Sequence, residues 1–173
     1  INHQIINIAD DEQAVFSSSF LGDDQTELNL NWNVMHSDYG SVVDSKNYSI
    51  STNRKGFSES EQAFEISGTG SVLLVWEDYN SGSEETTTQL QILNIDGLQQ
   101  AISITGDHSD TQVFSNGNFL VNVSGDSYLY SSEGSLIKQL DGGIPGHVVE
   151  LDNSGFFLTL TNFTPLNIKI FDA

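Results

Sequence analysis

Twenty-four acidic residues against five basic ones in a chain of 173 give a formal net charge of −19. Such a field repels phosphate backbones and anionic lipid, which excludes nucleic acid as a partner. The chain has no cysteine, hence no disulfide framework and no thiol nucleophile, and no run of 18 apolar residues that could cross a membrane as a helix.

The start, "INHQIINIADDEQ", has no initiator Met, no basic residues and no signal-like apolar stretch, and reads as a processed start or a boundary cut through a longer chain. From there strands are expected in close succession, from period-2 alternation and β-branched or aromatic enrichment. The first third offers "QIINIA", "AVFSSSFL", "ELNLNWNVM" and "SVVDSKNYSIS". The middle offers "AFEIS", "SVLLVWED", "TTTQLQILNI" and "AISIT". The last third offers "TQVFS", "NFLVNVS", "SYLYSS", "SLIKQL", "HVVELD", "FFLTLTN" and "LNIKIFD". Turn chemistry separates them, as in "SDYG", "SGTG", "IDG", "SNG", "SGD" and "DNSG". No window repeats apolar residues at i, i+3, i+4 and i+7, so the fold class is all-β. Short strands with turns this frequent build a propeller, a sandwich or a jelly roll.

Three segments align: "TGSVLLVW", "NGNFLVNV" and "NSGFFLTL". Each leaves a Gly-containing turn and enters an apolar strand. A second strand follows each of them, "LQILNIDG", "SYLYSSEG" and "LNIKIFDA". Strand, hairpin, strand and Gly turn at a period of about 40 residues is the pattern of propeller blades, although a plain antiparallel meander can produce similar spacing. Residues 67–173 are therefore expected to hold about three blade-like repeats. Residues 1–66 form a less regular β segment, and the whole is expected to be one compact domain. The apolar N-terminal strand, with Ile5, Ile6 and Ile8, could close the array within the chain or serve as an assembly strand that pairs with a neighbouring copy.

The stretch "GSVLLVWEDYNSGS…LQILNIDG" resembles repeats of large secreted bacterial proteins, among them calcium-dependent adhesins and toxins. Gly70, Trp76, Asp78, Asp96 and Gly97 match that pattern in one unit, and Phe171 and Asp172 match it in the last. The middle unit lacks the Trp and carries "SSEG" in place of the acidic turn. The resemblance implies an extracellular or cell-surface, propeller-like module without catalytic activity.

Motifs for chemistry are sparse. The chain holds no Gly-x-Ser-x-Gly elbow and no His-Glu-x-x-His, and its four histidines, His3, His36, His108 and His147, are scattered. Calcium is the cofactor that the acidic loops would suit, because it takes six to eight oxygen ligands. In "DYNSGSEE", Asp78, Asn80 and Glu84 are the candidate metal ligands, with Glu85 beside them. Asp107, Asp110, Asp23 and Asp24 make weaker candidates. Hairpin tips are polar in any case, so a solvated loop explains all of them equally.

Carbohydrate binding would call on Trp76 and Tyr79 for stacking beside Glu77 and Asp78, although a Trp ending an apolar strand more often belongs to a core. In "ELNLNWNV" the alternation puts Leu28, Leu30 and Trp32 on one face and turns Asn29, Asn31 and Asn33 outward. Sequons at Asn47, Asn122 and Asn162 are about as frequent as chance would give in so Asn- and Ser-rich a chain. The function expected is a non-enzymatic extracellular adhesion or ligand-binding module, calcium-stabilised, with carbohydrate or a surface protein as partner and no membrane insertion. The alternative is a subunit of an extracellular filament or pilus, self-assembled by exchange of the N-terminal strand.

Overall fold

A computed structural model describes residues 2–9, 12–21, 27–36, 40–52, 62–66, 68–94, 96–140, 147–150, 156–160 and 168–172. Side chains are described for the same residues, except that β1 contributes Ile5, β2 contributes 13–17 and residues 147–172 contribute Glu150. Fifteen strands and no helix are found among them.

Consecutive strands form four antiparallel meanders. The first sheet runs β1 (Asn2–Ala9), β2 (Glu12–Leu21), β3 (Glu27–His36) and β4 (Val42–Ser51). The second runs β5 (Gln62–Ile66), β6 (Ser71–Asn80), β7 (Glu85–Asn94) and β8 (Gly97–Thr105). The third has spatial order β12-β11-β10-β9, from β9 (His108–Val113), β10 (Phe119–Val123), β11 (Asp126–Tyr130) and β12 (Leu136–Leu140). The fourth has three strands, β13 (His147–Glu150), β14 (Phe156–Leu160) and β15 (Ile168–Asp172).

The segments aligned in the sequence fall on matching strands: "TGSVLLVW", "NGNFLVNV" and "NSGFFLTL" lie on β6, β10 and β14, the second strand of each sheet. Their partners lie on β7, β11 and β15. Residues 1–66, expected to be less regular, contain a complete four-stranded meander followed by β5. Backbone contacts divide the chain into two compact units: residues 1–65 with 70–107, and residues 66–69 with 108–173.

In the first unit one core joins the first two sheets. Along β3 the burial alternates strictly, with Leu28, Leu30, Trp32 and Val34 at most 4% exposed. They share a cluster with Ala14 and Phe16 of β2 and with Val72, Leu74, Trp76 and Leu93 of the second sheet. Phe16 and Trp32 are direct cross-strand partners. Their rings meet edge-on at 5.8 Å and 62°, the geometry that aromatic quadrupoles favour. Tyr48 and Ile50 of β4 close the side of the cluster, and Tyr48 lies 3.8 Å from where a Cβ on Gly97 would stand.

β6 differs in kind. Its first six residues, Ser71 to Trp76, are all buried, so this strand is covered on both faces and reads as an unbroken apolar run.

In the second unit, β10 is buried at Phe119, Leu120, Val121 and Val123. Ser124 at φ 49° and Gly125 at φ 89° make the two-residue turn into β11, the positive-φ pair that matches the twist of a hairpin. The Glu150 carboxylate of β13 receives hydrogen bonds from Ser115 N at 2.9 Å and from Ser115 Oγ at 2.5 Å. This fastens the first strand of the fourth sheet to the β9–β10 turn. Tyr130 stacks on Phe119 at 5.3 Å, and burial, with the nearby Tyr128, raises its pKa above 10.0.

Two outcomes follow from this packing. Leu30→Ala removes a fully buried side chain and should cost about 2–5 kcal/mol in urea unfolding, whereas Leu136→Ala on the exposed β12 should stay within about 0.5 kcal/mol. Because the raised Tyr130 pKa favours the neutral phenol in the folded state, its contribution is complete below pH 10.0 and falls as the pH rises towards the folded value. Tyr130→Phe should remove that alkaline component from the stability profile.

Candidate functional site: the polar face of the first sheet

The residues singled out for calcium gather at the β6–β7 hairpin, where Asn80 faces Glu85 across the last rung. Asp78 Oδ1 accepts a hydrogen bond from Trp76 Nε1 at 3.3 Å. Asn80 Oδ1 accepts from Gly82 N at 2.9 Å and from Ser83 N at 3.4 Å, an Asx turn that shapes the tip. Glu84 is exposed, with φ at 57°, a left-handed conformation that costs a non-glycine residue about 1–2 kcal/mol. Asn80 Oδ1 thus shapes the turn, while Asp78 Oδ1 is bonded to a side chain of its own strand. No group of three or more His, Cys, Asp or Glu side chains that could hold a metal ion occurs among the described residues.

The weaker acidic candidates are spread out. Asp107 and Asp110 are exposed on either side of His108, whose Nε2 meets Thr111 Oγ1 at 2.9 Å. Asp23 and Asp24 lie outside the described residues.

Trp76, a candidate for stacking on a sugar, is 6% exposed and packs in the core of the first unit. Its ring is committed there, and its indole N–H is used by Asp78. Tyr79 is half-buried on the same strand. Of the proposed assembly strand, Ile5 is 64% exposed on β1, an edge of the first sheet that pairs with β2. Ile6 and Ile8 lie on the same strand, and their side chains are outside the described set.

The structure assembles another constellation on the first sheet. Register sets Ser17, Asn31 and Asn47 side by side on β2, β3 and β4, and Val15, Asn33 and Ser45 in the next row. All project from the face opposite the core, because strand side chains alternate.

A one-way relay of hydrogen bonds crosses this face. Ser45 Oγ donates to Asn33 Oδ1 at 2.9 Å, Asn33 Nδ2 to Asn31 Oδ1 at 2.5 Å, and Asn31 Nδ2 to Asn47 Oδ1 at 2.8 Å. Ser49 Oγ donates to Glu27 Oε1 at the far end. Each amide has two N–H donors; the relay uses one from Asn33 and one from Asn31 and none from Asn47, whose Oδ1 accepts at its end, which leaves donors on all three for solvent or a ligand. Asn29 Nδ2 is shielded from water and has no hydrogen-bond partner.

The amides and hydroxyls of the Ser45–Asn33–Asn31–Asn47 relay offer donors and acceptors held in rows by the strand register. The outward Asn row was legible from the alternation of β3. The contribution of Ser45, Asn47 and Ser49 was not, because it depends on the β3–β4 register, and the Ser-x-Asn-x-Ser spacing in β4 was the available signal.

No family model matches the chain, and no curated protein matches it. Among solved structures, it is similar to the β-propeller domain of the Trilobed protease from Pyrococcus furiosus, described as having an open velcro topology. That match has a TM-score of 0.51 at 7% identity and covers 99% of this chain and 55% of the other. This chain thus spans about half the length of that one. A protein of unknown function from Bacteroides caccae matches with a TM-score of 0.37 at 14% identity, over 99% of this chain and 73% of the other. The first likeness concerns the fold alone, and with it the four consecutive meanders are those of an all-β, propeller-like protein.

The hairpin yields a discriminating prediction. Glu84→Gly relieves the positive φ and should raise stability by about 0.5–1 kcal/mol in urea, and it should do so equally with calcium and with chelator. Destabilisation seen in calcium alone would instead make Glu84 a ligand.

Proposed function

We propose that the chain is a non-enzymatic binding module of an extracellular or surface protein, and that the polar face of the first sheet is its working surface. The observation that carries this reading is the Ser45–Asn33–Asn31–Asn47 relay, spread over a sheet face left outside the core. Side-chain amides and hydroxyls held in fixed rows complement a neutral ligand rich in hydroxyl groups, and carbohydrate is the class that fits. Each new hydrogen bond replaces one to water and contributes about 0.5–1.5 kcal/mol, so useful affinity comes from several rows acting together.

Binding by a sheet face agrees with the adhesion role implied by the resemblance to secreted bacterial repeats. The same resemblance supports the extracellular setting. Calcium stabilisation draws support from the acid excess and from the meeting of Asp78, Asn80 and Glu84 at one hairpin. Melting in chelator tests it: a drop of several degrees retains calcium in the account, and an unchanged melt removes it. Filament assembly through β1 draws on the exposure of Ile5, and deletion of residues 1–9 is its test.

The main reading is tested on a panel of neutral oligosaccharides. Asn31→Ala and Asn47→Ala should each weaken binding about tenfold, the loss of roughly 1.4 kcal/mol, with an unchanged far-ultraviolet dichroism spectrum. Binding that both substitutions leave intact, or a panel without any ligand, would contradict it.

A further inference from the structure

We propose that the outer edge of β8 is a self-association surface through which two copies of this chain join into one continuous sheet. β8 ends the order β5-β6-β7-β8, so one row of its backbone groups has no strand partner among the described residues. Such edges are templates for a further strand.

The other edges of the first three sheets carry protection that β8 lacks. β4 bears the Asp44–Lys46 pair at 3.9 Å. β9 contains His108 and Asp110, and β12 has five residues with Lys138 at its centre. β5 is also five residues long and carries Glu65, and β1 breaks register between Asn7 and Ala9. Residues 86–106, which span the β7–β8 hairpin, hold a single ionisable group, Asp96 at the tip, in a chain with 24 acidic residues.

This distribution of charge identifies the occupant. A basic partner would be drawn to the acidic surfaces. A second copy of the same acid-rich chain is repelled wherever those surfaces face one another and can approach closely where charge is missing.

Register supplies the geometry. Gln91 faces Ala101 and Leu93 faces Leu98, so Gln99 and Gln100 together oppose Ile92 in a bulge, and the regular part of the edge is Ala101 to Thr105. Within it Ala101, Ser103 and Thr105 are exposed, Ile102 is half-buried and Ile104 is buried. An antiparallel pair with its two-fold axis at Ser103 sets Ala101 against Thr105, Ile102 against Ile104 and Ser103 against itself. The contact is isologous and closes at two copies. The isoleucine pairs extend the face that holds Leu90 and Thr88.

The test uses the full chain, which has no cysteine of its own. Antiparallel pairing brings the two Ser103 Cα atoms to about 4.5–5.5 Å, within reach of a disulfide. Under mild oxidation Ser103→Cys should give a covalent dimer, while Ser83→Cys on the β6–β7 tip should not. In sedimentation velocity the unmodified chain should dimerise, more tightly at higher salt as repulsion is screened, and Ser103→Glu should be monomeric. A chain that is monomeric up to millimolar concentration at every ionic strength overturns the proposal. So does cross-linking no faster at Ser103 than at Ser83, or an oligomer that survives Ser103→Glu.

Discussion

The strict two-residue alternation of β3 is the constraint on which the first unit depends. Leu28, Leu30, Trp32 and Val34 leave the sheet on one side and meet Val72, Leu74, Trp76 and Leu93 of the second sheet. Because the side-chain period is two, the same register that buries this set turns Asn29, Asn31 and Asn33 the other way. A slip of one residue would bury three amides and expose a tryptophan, so the core and the polar face are two consequences of one pairing. The Phe16–Trp32 cross-strand contact reinforces the β2–β3 register from the core side, and the Asn31–Asn47 bond reinforces the β3–β4 register from the other.

The sheets are therefore not equivalent. β6 is buried through six successive residues, and four of the five residues of β10 are buried, so the second strands of the second and third sheets are covered on both faces. The first sheet is covered on one. Its free face carries the amide and hydroxyl relay and is backed by the buried cluster, the kind of support a recognition surface requires.

Much of this could be read from the residues. The turn residues, the alternation of "ELNLNWNV" and the apolar runs of "SVLLVW" and "NFLVNV" marked strands in their proper places. The aligned segments landed on the second and third strands of successive sheets. The first sheet escaped recognition as a blade for a physical reason: its second strand, "EQAVFSSSFL", has serines at 17 to 19 where a two-sided strand would have apolar residues. The marker of the repeat was the unbroken apolar run, and a one-sided sheet has none. The hairpin "DYNSGSEE" presented oxygen ligands at alternating positions, yet a sequence does not reveal which oxygens the hairpin uses for itself. Asn80 Oδ1 serves two backbone N–H groups and Asp78 Oδ1 serves the indole of Trp76.

Charge is distributed on the same logic. Among the described residues, the outward rows of β3 and β4 are mostly amides and hydroxyls with Glu27 at one end, and residues 86–106 of the β7–β8 hairpin hold Asp96 as their one ionisable group. Neutral surfaces stand out against a background of −19, and they are where a like-charged copy encounters least repulsion. All of this rests on the first sheet having one covered face and one free one. The most direct measurement compares two neighbouring positions on β3, Leu30→Lys and Asn31→Lys, by urea unfolding. A free outer face predicts that Asn31→Lys stays within about 1 kcal/mol of the parent, while Leu30→Lys, which places a charge in the core, leaves the first unit unfolded. Comparable destabilisation by both would mean that the Asn face is covered as well, and would contradict the account.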